Sequence, residues 1–358
     1  MALLEVNDLT VNFYTQDGVV NAVDGLSYRV ERGEKFGVVG ESGAGKSVTA
    51  LSLLRLIDRP GRIESGEIIF DGQDVLELSE EEVRDLRGNR IAMIFQDAQT
   101  ALNPVYTVGE QIAEAIRHHL DYDKAAARER AIKLLDRVGI PEPTARYDDY
   151  PHQFSGGMQQ RAVIAIALSC DPDLLVCDEP TTALDVTIEA KILDLIQDLA
   201  DDFGTAVQLI THDLGVIAEV CDRVVVMYAG KPVEKAPVED LYYDPQHPYT
   251  VGLMSAIPRL GDDREELQTI PGTMPDLVEL PPGCSFHPRC PFAEEVCTLK
   301  EPPLVDLDAG GTDDPSTERA SACLEHTGDL TRGLDYTVEV EGERTLTELR
   351  SAERTSDD

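Results

Sequence analysis

Between Gly40 and Ser47 the chain reads Gly-Glu-Ser-Gly-Ala-Gly-Lys-Ser. Glycines at this spacing let backbone N–H groups curl around phosphate oxygens, the lysine brings a point charge to them, and the last hydroxyl reaches a magnesium ion. The octet follows an apolar run over 36–40 and opens a helix-period stretch over 47–56. That context turns a glycine loop into an anion cradle at a helix N-terminus. Gly40, Glu41, Ser42, Gly43, Ala44, Gly45, Lys46, Ser47 and Val48 are therefore candidate nucleotide-binding residues. Lys46 is expected on the β- and γ-phosphates and Ser47 on Mg²⁺.

Other polar residues close apolar runs in the same way. Asp178 and Glu179 end the run 174–179. Asp178 is placed to hold Mg²⁺, directly or through water, and Glu179 to orient and deprotonate an attacking water. Paired acids at a strand end can also be a solvated turn or a helix cap; coupled to a phosphate loop, the catalytic reading is preferred. Gln96 ends the run 91–96 and His212 the run 207–212. A histidine there can be a satisfied core residue or a γ-phosphate contact. Ser155-Gly-Gly-Met-Gln159 precedes a helix-period stretch. Ser155 reads as its N-cap, and a capped, glycine-rich helix start is itself an anion site.

These residues need strands and helices to hold them. Unbroken apolar runs of this length (36–40, 91–96, 174–179, 207–212 and 223–230) suit strands buried on both faces of a parallel sheet. Helix-period segments between them imply an α/β core, whose ligands bind at the carboxyl ends of the strands. Residues 3–14 and 26–34 look antiparallel around a turn at 16–18, and 97–169 reads as a helical insert with helices over 108–120, 124–138 and 157–168. After about residue 235 prolines crowd in, so 236–330 is expected to be a loop-rich extension and 331–358 an acidic tail with one possible strand at 336–340.

Composition limits the partners. The 358 residues carry 68 Asp and Glu against 31 Lys and Arg, a net charge of −37 spread along the chain. Bulk nucleic-acid binding, which needs a basic face, is not expected. An excess of this size suits a high-salt cytoplasm, where screening relieves self-repulsion. No run approaches the ~20 apolar residues of a membrane span, and the first residues lack a basic n-region, so a cytoplasmic location is expected.

The Phe154-Ser-Gly-Gly-Met-Gln-Gln-Arg161 run, with the motifs above in their order, resembles the signature of ABC transporter ATPases. The resemblance covers the chain to about Cys323, no catalytic motif departs from it, and it implies a P-loop NTPase fold. That fold has a RecA-like parallel sheet core, an N-terminal antiparallel β subdomain and a helical insert, together spanning 1–235, plus the C-terminal extension. It also implies that Gln96 is the Q-loop glutamine and a Mg²⁺ neighbour, that Asp185 is the D-loop aspartate and His212 the switch histidine, and that Phe13 or Tyr14 stacks on adenine. Two such subunits would sandwich two ATP molecules head to tail. Each site would take Lys46, Asp178, Glu179 and His212 from one subunit and Ser155, Gly156, Gly157 and Gln159 from the other.

Residues 17–25, 95–97, 101–109, 150–154, 246–250 and 283–293 resemble the oligopeptide, dipeptide and nickel importer subfamily. The resemblance implies a second ATPase subunit, usually a paralogue, two membrane permeases met by Gln96 and the insert, and an extracellular solute-binding protein. Work at the cytoplasmic face of the membrane follows. The solute stays open among peptides, nickel and oligosaccharides. A soluble ABC ATPase of repair or translation is the alternative, but it usually carries coiled coils or two cassettes, and one phosphate loop stands here.

Cys284, Cys290, Cys297 and Cys323 run C-x5-C-x6-C-x25-C. Four thiolates in a cytosolic protein suit zinc or an iron–sulfur cluster. Zinc ribbons use closer pairs, so [4Fe–4S], which relatives of the dipeptide-importer type also carry, is preferred; zinc and no metal remain open. Cys170, Cys177 and Cys221 read as buried apolar residues.

Overall fold

The computed structural model describes residues 2–96, 98–181, 186–255, 270–309, 311, 317–332 and 334. The chain forms two compact units that alternate along the sequence. One comprises Met1–Leu3, Val30–Lys35 and Asp74–Ile210; the other comprises Leu4–Arg29, Phe36–Gln73 and Thr211–Asp358.

In the first unit, strand Leu174–Asp178 pairs in parallel with Ile91–Ile94 and with Ala206–Thr211, placing Ile94 opposite Cys177 and Asp178 opposite Ile210. Every residue of Leu174–Asp178 and Ala206–Thr211 is buried, which is why both read as continuous apolar runs. Helix Val186–Phe203 is the crossover between them. The insert supplies helices Val108–His119, Lys124–Arg137 and Gly156–Ala167, which pack on one another. Their starts are set by side-chain caps from Thr107, Asp123 and Ser155. Ile112, Ala113 and Ile116 from one helix and Ala127, Ala131 and Leu135 from the next are buried, at the spacing of a helix face.

The second unit opens with strands Leu4–Tyr14, Val19–Val30 and Gly61–Phe70 in one sheet. Leu4–Tyr14 runs antiparallel to Gly61–Phe70, with Leu4 opposite Phe70 and Phe13 opposite Gly61. A separate strand, Lys35–Val39, lies parallel to Arg223–Tyr228.

The chain across the expected start of the loop-rich extension at 236 is regular structure. Strand Lys231–Pro237 pairs antiparallel with Arg223–Tyr228, and Ala320–Ser321 adds beyond it. Ala229 and Gly230, both left-handed at φ 50° and 83°, make the two-residue turn between the first two. Such a turn matches strand twist but needs positive φ at both positions. Alanine rarely takes that conformation, so the hairpin carried no turn signal. The helices Val238–Tyr243 and Pro248–Ser255 follow. The strand expected at 336–340 lies outside the described residues.

Candidate functional site

Strand Lys35–Val39 delivers the chain to Gly40, and helix Lys46–Leu53 leaves from Gly45. Gly45 is the helix N-cap at φ 100°, where a β-carbon would stand 2.2 Å from the Ala22 carbonyl oxygen. At Gly40 a β-carbon would stand 2.2 Å from the Met227 carbonyl oxygen, whereas Gly43, at φ 84°, faces open space. Lys46 is buried, and its ammonium donates to the Gly40 and Glu41 carbonyls at 2.7 and 3.1 Å. Its charge is thus held inside the loop, while Ser47 is exposed.

Glu41 is held by the extension. Its backbone N–H donates to the Tyr249 hydroxyl at 2.9 Å, and its carboxylate accepts from both arms of Arg289 at 2.9 and 3.1 Å. Arg289 also donates to the Pro271 carbonyl at 2.8 Å. Tyr249, Tyr228 and Phe286 meet edge to face, with centroids 4.7 to 5.4 Å apart. Sequence reasoning assigned no role to Tyr249 or Arg289; their only signal was that they lie in the subfamily-like stretches 246–250 and 283–293.

Of the two candidate adenine-stacking residues, Phe13 lies against Gly61, where an added β-carbon would meet its ring at 2.7 Å. Tyr14 is the exposed ring; its hydroxyl donates to Glu64 at 2.8 Å, a bond that raises the phenol above its ordinary pKa, and the Arg62 guanidinium lies 5.5 Å from the ring centre. His212 is exposed immediately after its strand. The next residue, Asp213, caps helix Leu214–Val220 by accepting from the Gly215 N–H at 2.7 Å, which sets the turn that carries the imidazole.

In the first unit, Asp178 is buried at the carboxyl end of its strand, and Glu179 follows in a left-handed conformation at φ 46°. The Glu179 N–H donates to the Ile210 carbonyl at 2.9 Å, so the sheet itself holds this turn. Left-handed backbone costs a non-glycine residue about 1–2 kcal/mol and persists only where the surroundings over-determine it. The exposed Gln96 amide donates to the Glu179 carboxylate at 3.0 Å. Two runs that end on separate parallel strands therefore bring their terminal polar groups together.

Ser155 caps its helix by accepting from the Met158 N–H at 3.4 Å. Gly156 is exposed and a side chain there would meet open space. Gly157 lies near Ile188, 3.6 Å from an added β-carbon. The Gln159 amide turns back to the Pro151 and Phe154 carbonyls at 2.8 and 3.4 Å, bracing the turn before the helix. Asp185 lies outside the described residues.

Cys284, Cys290, Cys297 and Cys323 line one cavity of about 20 Å³ together with Phe286 and Phe292. The Cys284 N–H donates to the Cys297 carbonyl at 2.8 Å, and at Gly283 a β-carbon would stand 2.4 Å from that carbonyl oxygen. Burial pushes the Cys290 thiol up to about 11 and that of Cys323 up to about 12. Among the described residues no group of three or more His, Cys, Asp or Glu side chains is arranged to hold a metal ion. The four thiols share one cavity. Cys170, Cys177 and Cys221 are buried, as their apolar context implies.

A glycine cradle at a helix start in one unit, and an Asp-Glu pair closing a parallel strand in the other, are each local features of a P-loop ATPase. The family model described as ABC transporter matches residues 23–182, and that of the oligopeptide/dipeptide transporter C-terminal region matches 233–297. The oligopeptide transport ATP-binding protein OppD of Salmonella typhimurium is 51% identical over 86% of this chain and 91% of its own length. The dipeptide transport ATP-binding protein DppD of Escherichia coli is 50% identical over 87% of this chain and 95% of its own. Among solved structures, a dimeric ATP-binding cassette, MJ0796, in a post-hydrolysis state with ADP and Pi, aligns at a TM-score of 0.59 and 26% identity, covering 66% of this chain and 98% of that one. The chain belongs to the ABC transporter family, as an ATP-hydrolysing, ATP-binding subunit with the cassette fold.

Proposed function

We propose that this subunit drives uptake of di- and oligopeptides. The match of the C-terminal region to that of oligopeptide/dipeptide transporters carries the reading, and the hydrogen bond from Gln96 to Glu179 supports coupling of hydrolysis to transport, because it joins an exposed residue at one strand end to the acid proposed as the general base. Lys46 pairs with the β- and γ-phosphates, and Ser47, Asp178 and Gln96 would hold Mg²⁺, which offsets charge on the transferring phosphoryl group. Glu179 orients and deprotonates water, and His212 contacts the γ-phosphate. Tyr14, the exposed ring, stacks on adenine, and Phe13 backs it. Ser155, Gly156 and Gly157 of a second ATPase subunit close the site, with Gln159 bracing that helix start and Asp185 in the D-loop role. Permease subunits dock where Gln96 emerges, placing the chain at the cytoplasmic face of the membrane with a solute-binding protein outside. Among the described residues no helix is long and apolar enough to cross a membrane. The match of 233–297 to the oligopeptide/dipeptide C-terminal region and the names of the relatives support peptides as the solute.

Co-purification of the membrane complex, followed by ATPase assays with binding protein and candidate solutes, tests this. Peptides should stimulate turnover; stimulation by nickel or oligosaccharides alone, or a tight complex with nucleic acid and no permease, would overturn it.

The spacing of the four cysteines, wider than the close pairs of a zinc ribbon, and their place on one cavity support a [4Fe–4S] cluster over zinc. Bound there, a cluster would cross-link the loops of the extension. Anaerobic purification with iron and sulfide analysis tests the assignment; stoichiometric zinc or no metal refutes it. The net charge of −37 supports work in concentrated salt.

A further inference from the structure

A phosphate-binding loop works only if its N–H groups converge before the nucleotide arrives. Gly40, Gly43 and Gly45 make this loop intrinsically loose. It also carries an acid, Glu41, at a position where the phosphate motif demands no particular side chain. A carboxylate beside a triphosphate repels it unless neutralised.

The structure supplies both the brace and the countercharge from the far end of the chain. The Arg289 side chain is only 7% exposed and forks onto the Glu41 carboxylate at 2.9 and 3.1 Å. A planar fork matches a carboxylate bidentately, which a lysine cannot reproduce. Arg289 is aimed by its bond to the Pro271 carbonyl and lies 5.7 Å from the Tyr228 ring centre. Tyr249, fully buried, accepts from the N–H of the same Glu41. Two residues of the extension thus converge on one residue of the loop.

We propose that Arg289 is a positioning residue for ATP binding: it neutralises Glu41 and holds the loop in its phosphate-accepting shape. The extension is thereby part of the nucleotide machinery. This rests on the assignment of Gly40–Ser47 to phosphate, which Lys46→Ala tests separately.

The test is titration of the full chain with Mg²⁺ and the slowly hydrolysed analogue ATPγS. Arg289→Met leaves the Glu41 charge uncompensated and should weaken binding by about 10-fold or more, the effect of one nearby charge at a protein surface. Arg289→Lys should fall between that variant and the native chain. The double variant Glu41→Gln/Arg289→Met should recover most of the loss, because the repelling charge is gone. If Arg289→Met fails to fold, Arg289→Lys keeps the test available, because native affinity in it would equally overturn the proposal. A role confined to stability predicts the reverse, a double variant no better than Arg289→Met. That result, or native affinity in Arg289→Met, overturns the proposal, provided Lys46→Ala abolishes binding. Native affinity in Lys46→Ala would instead overturn the phosphate assignment.

Discussion

Two glycines of the phosphate loop, two residues apart, should respond very differently to the same methyl group. Both have left-handed backbone, φ 84° at Gly43 and 100° at Gly45. Alanine at either therefore incurs about 1–2 kcal/mol of strain. At Gly43 the added carbon meets nothing within 4 Å; at Gly45 it stands 2.2 Å from the Ala22 carbonyl oxygen. Real β-carbons do not come within 3.0 Å of another heavy atom, so the loop must move by about 0.8 Å from Ala22. A displacement near 1 Å in a positioned site costs on the order of 100-fold. Gly43→Ala should thus weaken nucleotide binding by no more than about 5- to 30-fold, the strain alone. Gly45→Ala should weaken it by well over 100-fold, roughly the product of strain and displacement. Equilibrium titration with Mg²⁺ and ATPγS reads both, and thermal melts confirm that each variant is folded. Equal losses in the two variants, or a smaller loss at Gly45, would refute the steric reasoning.

Glu179→Gln should keep ATP binding while turnover falls by about 100- to 10,000-fold, the usual worth of a positioned base; single-turnover assays of radiolabelled ATP check it, and normal turnover would remove Glu179 from its role. Stability should rise steadily between about 0.01 and 1 M KCl, as the screening length falls from roughly 30 to 3 Å across a chain of net charge −37; a melting temperature independent of salt would contradict this. Burial pushes the Glu234 carboxyl up to about 7, against the Gln246 and His247 N–H groups that donate to it at 2.6 and 3.0 Å and favour its charged form. The folded state then holds a proton that the unfolded chain releases near 4.5, so this stabilisation is full below that pH and is lost as pH rises through 7. Relative to Glu234→Gln, the native chain should lose at most about 3 kcal/mol over that window, measured by urea unfolding at several pH values; a difference that grows with pH would reverse the sign of the argument.

The helical insert was legible because Thr107, Asp123 and Ser155 announce helix starts and the apolar residues behind them recur at helical spacing. The parallel strands were legible for the opposite reason: burial on both faces leaves unbroken apolar runs. Strand Lys231–Pro237 was not, because Pro232 and Pro237 argue against a strand and the turn before it uses Ala229. The four cysteines were legible as one group, since they cluster in the sequence and line one cavity.

By itself the sequence determined the loop Gly40–Ser47, the acids at the strand end and the capped glycine helix start, since each is a local pattern whose chemistry follows from residue type and spacing. Only the tertiary structure decided where those groups turn. It set Glu179 in a left-handed turn pinned to Ile210 and bonded to Gln96, turned Gln159 back onto the backbone, and bound Glu41 to Arg289 and Tyr249. Contacts between residues far apart in the chain, such as Gln96 with Glu179 or Glu41 with Arg289, leave no periodicity and no motif; they exist only once folding has brought the partners together, where an unpaired charge or N–H would be costly.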